Sequence, residues 1–258
     1  MRYALKNCLY LTRKPIWWIG VAISFSSMLI GILPEKTDDQ TNLIYHLFLA
    51  MDAGVFLPLA PLSAIIPAAF VFENAFKKSW RNLNLIRCNK VRYIVNTAVG
   101  SALAGGAALS LGWLLALVVS AVMWRLPLTG SNMLGVENTD LGALLLSNRT
   151  TLLYYMFRFF LVFSYGFFCV MLSLPTSVMI PDAATICLVP FVLLRIMQYF
   201  FVDRILPILS PTRVLLGKNM GFSSPQVTFA AGLLGLMCWA LFLVVLSIIC
   251  FQERCSFE

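Results

Sequence analysis

Residues 94–124 read IVNTAVGSALAGGAALSLGWLLALVVSAVMW, and no charged side chain interrupts them. A helix needs about 20 apolar residues to cross roughly 30 Å of hydrocarbon, so this run can span a bilayer with tilt or project beyond it. Lys90 and Arg92 precede it and Arg125 follows. Working outward, further apolar runs occupy 16–33, 54–72, 151–173, 183–201 and 225–251. Together they predict an all-α integral membrane protein of about six transmembrane helices in a single transmembrane domain over 1–258. The second span can begin earlier, near Leu43, which would put Asp52 in its outer turn. Only 174–182, with Pro175 and Pro181, divides the fourth span from the fifth.

Composition supports the same reading. Hydrophobic residues make up 60% of the 258 and charged residues 12%, with mean hydropathy +0.86. A soluble domain carries roughly 25% charged residues, so the apolar excess needs lipid as its solvent. The net charge of +8 comes from 19 Lys+Arg against 11 Asp+Glu. It is confined to short segments between apolar runs, which suits an anionic membrane surface and not nucleic acid.

Lys and Arg in short flanks set orientation. Arg2, Lys6, Arg13 and Lys14 precede the first span, and Lys77, Lys78, Arg81, Arg87, Lys90 and Arg92 fill 73–92. The 34–53 connection holds Lys36 against Glu35, Asp38, Asp39 and Asp52, and 125–150 holds Arg125 and Arg149. Arg204, Arg213 and Lys218 in 202–224 weaken the asymmetry without reversing it. Both termini are therefore expected in the cytoplasm, with the protein in the cell membrane and its first span retained as an anchor.

Several chemistries lack their residues. The seven cysteines form no CxxC pair, and the one histidine, His46, falls in an outer loop, so no metal site is expected. There is no GxSxG elbow. Gly217-Lys218 resembles the end of a phosphate loop, but Thr212 stands at the first glycine position and Asn219 replaces the hydroxyl. The chain is expected to be no enzyme and to hold no cofactor of its own. The clean spans also lack Asp, Glu and His for a proton relay. The Asn148-Arg149-Thr150 sequon abuts a span and carries little weight.

Within the spans, Arg158 and Arg195 need a reason, because a central Arg costs about 2.5–3.5 kcal/mol on insertion scales. Either they snorkel to the outer headgroups or they line a polar cavity that recognises an anionic part of a substrate. Asp203 could meet Arg195 if the fifth helix continues. Pro58, Pro61 and Pro67 should bend the second span. Ser101/Gly105, Ala104/Ala108 and Gly106/Ser110 in the third span, with Thr228/Gly232 and Ala231/Gly235 in the last, space small residues for close helix approach. Packing within the chain is the favoured use, ahead of a dimer contact.

Residues 72–92 read FENAFKKSWRNLNLIRCNKVR. Phe72, Phe76, Trp80 and Leu83 form one helical stripe, with Lys77, Lys78, Arg81 and Asn82 on the other surfaces, as in a short amphipathic helix at a membrane surface. Its role is either a positive-inside anchor or a docking helix for a cytoplasmic protein. The amino-terminal RYALKNCLYLTRKPIWW mixes Tyr3, Leu5, Leu9 and Tyr10 with basic residues and predicts an interfacial helix over 1–15.

Taken together, these features resemble the membrane (permease) subunit of a type-2 ABC exporter. Members of that family open with a basic, aromatic interfacial helix. Between helices two and three they carry an acidic residue, a cytoplasmic coupling helix and a hydrophobic-basic stretch, matched here by Glu73, 75–83 and Leu85-Ile86-Arg87 through Arg92-Tyr93. Phe76 departs from the glycine frequent in the Glu-x-x-Gly element. A larger outer loop between helices five and six corresponds to 202–224, with Pro207 and Pro211. The resemblance implies a separate cytoplasmic ATPase subunit, carrying ATP and Mg, that docks on Glu73, Phe76, Trp80, Arg81, Leu85 and Arg87. It also implies a second permease subunit, identical or paralogous, and export of a peptide or amphiphile. Two other classes remain open: a secondary transporter or channel without an ATPase, and a non-transporting membrane immunity or scaffold protein.

The orientation has a direct check. A membrane-impermeant thiol reagent added outside cells should label cysteines substituted at Asp38 and Asn132 and spare one at Lys78. The reverse pattern would invert the topology.

Overall fold

The computed structural model describes residues 2–32, 43–77, 89–123, 125, 136, 139–146, 150–201, 210–217, 222 and 224–257. In chain order the helices are α1 (Arg2–Thr12), α2 (Pro15–Ile32), α3 (Leu43–Asp52), α4 (Phe56–Phe76), α5 (Lys90–Met123), α6 (Thr151–Met179), α7 (Ala183–Phe201), α8 (Pro211–Leu216) and α9 (Pro225–Phe257). A short 3-10 turn, Gly142–Leu146, lies before α6, and no strand occurs among the described residues. Five helices (α2, α4, α5, α6 and α9) are long and apolar enough to cross a membrane. The chain is thus an all-helical, multi-pass membrane protein. α7 is apolar through Gln198.

α6 is the central helix. It packs on α4, α5, α7 and α9, and 67% of its apolar window is buried, against 22% for α9. Lipid offers no hydrophobic drive for helices to meet, so close packing and interhelical hydrogen bonds have to hold them. The glycines of α5 supply the closeness. A Cβ at Gly105 would stand 2.5 Å from the Ala64 carbonyl of α4 and would strike Val170 of α6. One at Gly106 would stand 2.7 Å from the Phe163 carbonyl, and one at Gly166 would stand 3.0 Å from the Gly106 Cα. These small residues therefore serve contacts inside the chain.

α2 runs parallel to α5 and is stitched to it by side chains. Trp17 Nε1 donates to the Ala104 carbonyl at 2.8 Å and Ser24 Oγ to the Leu109 carbonyl at 2.9 Å. Ala4, Asn7 and Leu11 share one face of α1; Ala4 and Leu11 are buried, and Ala4 and Asn7 lie against Gly100 of α5. The three prolines of the second span differ in effect. Pro58 lies in the first turn of α4, where backbone donors have no helical partner anyway. Pro67 removes the donor that the Ser63 carbonyl would use, and that carbonyl abuts Gly20, where a Cβ would come within 2.5 Å.

Two boundaries differ from the sequence reading. The segment from Leu43 is a separate helix, α3, divided from α4 by Ala53–Val55 and folded back on α2 so that Gly31 meets Ala50. His46, expected in a loop, is buried in it. α6 continues through Pro175, and the break before α7 falls at Ile180–Asp182. Asp182 caps α7 by accepting from the Thr185 amide and hydroxyl at 2.9 and 2.8 Å. Those two bonds hold its carboxyl below the usual range.

The contacts define two ends of the bundle. α1, Phe76, Tyr93, Met179 and Phe251 mark a basic end; α3, the 3-10 turn and α8 cover the other, here called the capped end.

Gly105→Ala should lower stability by about 1–3 kcal/mol, since neither Val170 nor a helix carbonyl can yield cheaply. Leu234→Ala, at a side chain 65% exposed on α9, should stay within about 0.5 kcal/mol. Thermal unfolding in one detergent compares them, and equal midpoints for Gly105→Ala and the wild type would refute the close approach.

Candidate functional site

Arg158 is the charged group whose surroundings the sequence reading leaves most open. It lies on α6 near the capped end and is 2% exposed, so its guanidinium is enclosed by the chain's own residues. Its Nε donates to Tyr154 Oη at 3.1 Å, one turn away, and one terminal nitrogen donates to the Leu215 carbonyl at 2.8 Å. The guanidinium carbon stands 5.3 Å from the Tyr154 ring centroid and 5.9 Å from that of Phe48 on α3. It forms no ion pair among the described residues, and its other terminal nitrogen has no partner there.

The arrangement follows from α8. Ser210 caps its start, Pro211 occupies its first turn, and Gly217 closes it in the left-handed region at φ 57°. The Gly217 amide takes up the Arg213 and Val214 carbonyls. Arg158 takes up the Leu215 carbonyl, which a helix end would otherwise leave unpaired. A cation at a helix carboxyl end is also favoured by the backbone dipoles. Leu141, just before the 3-10 turn, lies over Gly217 too closely for any Cβ. Ser210, Pro211, Thr212 and Leu215 are all buried, so this part of 202–224 folds into the protein rather than looping over it. The signal was legible in Ser210-Pro211 and Gly217, a cap–proline start and glycine stop. Gly217 thus ends a helix, which is why its likeness to a phosphate loop was superficial.

Arg195 lies elsewhere and is exposed on α7. It donates to Gln198 Oε1 at 2.9 Å and stands 5.6 Å from the Phe191 ring centroid. Among the described residues the two arginines share no hydrogen-bond or ring partner. Asp203 lies outside the described residues.

At the basic end, the expected docking residues separate. Glu73 and Phe76 belong to the last turn of α4, and Trp80, Arg81, Leu85 and Arg87 lie outside the described residues. Glu73 forms an i,i+4 pair with Lys77 at 2.6 Å, an exposed bridge of small energetic weight. Phe76 is a correction. Its side chain is fully buried, with ring centroids of Tyr93 and Phe251 6.2 and 6.0 Å away. It ties α4 to α5 and α9 and offers no surface to a partner. Tyr93 adds a 2.8 Å bond to the Ala75 carbonyl.

Beside this aromatic group is a recess of about 540 Å³ between α1, α4 and α5, with Asn7, Tyr10, Asn74, Tyr93 and Thr97 as its polar lining. Cys8 on α1 is half-buried, and burial pushes its thiol up from the ordinary value.

No protein-family model matches the chain, and no curated protein or solved structure matches it.

Arg158→Met keeps the side-chain length and removes the donors. It should cost about 1–2 kcal/mol, between the usual membrane hydrogen bond and a stranded buried carbonyl. In that background a cysteine placed at Leu216, buried in α8, should gain reactivity toward an impermeant maleimide. Unchanged reactivity would mean that Arg158 does not hold α8.

Proposed function

We propose that the chain is the membrane (permease) subunit of a type-2 ABC exporter, working with a separate cytoplasmic ATPase that binds ATP and Mg. One observation carries the reading. The amino-terminal helix α1 and both ends of the basic 73–92 connection meet at the same end of the bundle, where Asn7, Tyr10, Asn74, Ala75 and Tyr93 share one recess. The family places an interfacial helix and a coupling helix at one membrane face, and this geometry supports that layout. In this reading α7 is the sixth span, the basic end is cytoplasmic in the cell membrane, and both termini lie there.

The ATPase would grip Trp80, Arg81, Leu85 and Arg87 in the connection. Phe76 would act from inside. Buried between Tyr93 and Phe251, it links α4 to α5 and α9, so a push on the connection reaches three helices. A second permease subunit, identical or paralogous, would complete the transporter. The exposed apolar faces of the spans favour a peptide or amphiphile as cargo. Arg158, locked on α8, is left out of substrate recognition.

The test is reconstitution with the candidate ATPase. The two should co-purify. Trp80→Ala combined with Arg81→Glu should return ATP hydrolysis to the rate of the ATPase alone while the permease still reaches the membrane. Full stimulation by the double variant would end the docking assignment, and failure to co-purify with any ATPase would favour a secondary transporter.

A further inference from the structure

The face built by α5 and α6 carries an apolar cleft that the chain's own packing leaves open. One stretch of about 450 Å³ starts at Thr12 and Trp17 and runs past Leu111 and Leu114 to Phe159 and Phe163. Another of about 480 Å³ continues beyond Phe160 and Phe163 toward Leu233 and Met237 of α9. Both fall within the roughly 300–1,000 Å³ of ordinary ligand sites. Phe160, which lines both, is 46% exposed.

Three observations identify the occupant. First, at this depth only an acyl chain or an apolar helix can enter without stranding polar groups. Second, a helix from a second copy would need small residues for close approach. The glycines of α5 are already engaged, Gly100 by Ala4, Gly105 by Ala64, Gly106 by Phe163 and Gly112 by Val21. Ala107, Ser110 and Ser164 also line the cleft, but between bulky Phe, Leu and Trp side chains that make an irregular wall a flexible chain can follow. Third, the residues after Thr12 at the mouth are Arg13 and Lys14. Both are exposed and neither has a carboxylate partner among the described residues. Lys14 Nζ rests 4.6 Å from the Tyr10 ring centroid, and Trp18 is 54% exposed beside them, as at a headgroup boundary.

We propose that this cleft binds an anionic glycerophospholipid, with one acyl chain along Trp17, Leu111, Leu114 and Phe163 and its phosphate held by Arg13 and Lys14. The site does not depend on the transport reading. Basic residues at a membrane surface attract anionic lipid, and a phosphate lacking a compensating amine gains most from this pair.

The experiment is native mass spectrometry of the full chain released from nanodiscs that contain dioleoyl phosphatidylglycerol and dioleoyl phosphatidylcholine in equal amounts. Phosphatidylglycerol should be retained about tenfold over phosphatidylcholine. Arg13→Ala with Lys14→Ala should bring the two lipids to parity. A benzophenone side chain incorporated at Leu114 should photolabel lipid. Equal retention by the wild type, a preference that survives the double substitution, or benzophenone adducts joining two copies of the chain would each overturn the proposal.

Discussion

The approach of α5 to α6 at Gly105, Gly106 and Gly166 is the contact from which the other helices take their places. Between helices in lipid, association has to come from close packing and hydrogen bonds, because the surrounding tails are as apolar as the side chains. The same stretch of α5 meets the Ala64 carbonyl of α4, and its Ala104 and Leu109 carbonyls, on either side of the two glycines, accept bonds from Trp17 and Ser24 of α2. α6 passes the contact on to α7 and α9, where Phe157 stacks on Phe229 at 4.2 Å. A methyl group at Gly105 would therefore disturb three helices at once.

At the capped end the governing constraint is that short helices leave backbone groups unpaired. α3 packs on α2, α4, α5 and α8, while α8 and the 3-10 turn pack on α6 and α9. Arg158 supplies what they cannot supply themselves, a donor for the Leu215 carbonyl with aromatic rings around its charge. A buried arginine is costly alone. Here its bonds to Tyr154 and Leu215 and its aromatic neighbours offset part of that cost and explain its place within an apolar span. At the opposite end the hydroxyl and amide groups of Asn7, Tyr10, Asn74, Tyr93 and Thr97 line a recess, and the exposed basic side chains of Lys6, Arg13 and Lys14 belong to the same end.

The spans were readable because hydrocarbon thickness sets their length, a property of local sequence. The basic flanks and the interfacial character of 1–15 were readable for the same reason. The roles of Arg158, Phe76 and His46 were not. Each depends on residues far along the chain: Leu215 and Phe48 for Arg158, Tyr93 and Phe251 for Phe76, and for His46 the folding of α3 against α2. Phe76 shows the difficulty plainly. Its place in an amphipathic stripe suggested a surface, yet the stripe's inner turns belong to a span and face the core.

By itself the sequence determined that the chain is helical, lives in a membrane, crosses it several times and is basic at one set of connections, since each follows from which solvent a stretch can tolerate. Only the tertiary structure decided that 210–217 turns inward, that Arg158 is a clasp, and that the glycines of α5 are spent within the chain. It also decided that an apolar, aromatic-lined cleft is left between α5, α6 and α9. Those outcomes depend on which helix meets which, and periodicity along one helix says which face is apolar without saying what covers it.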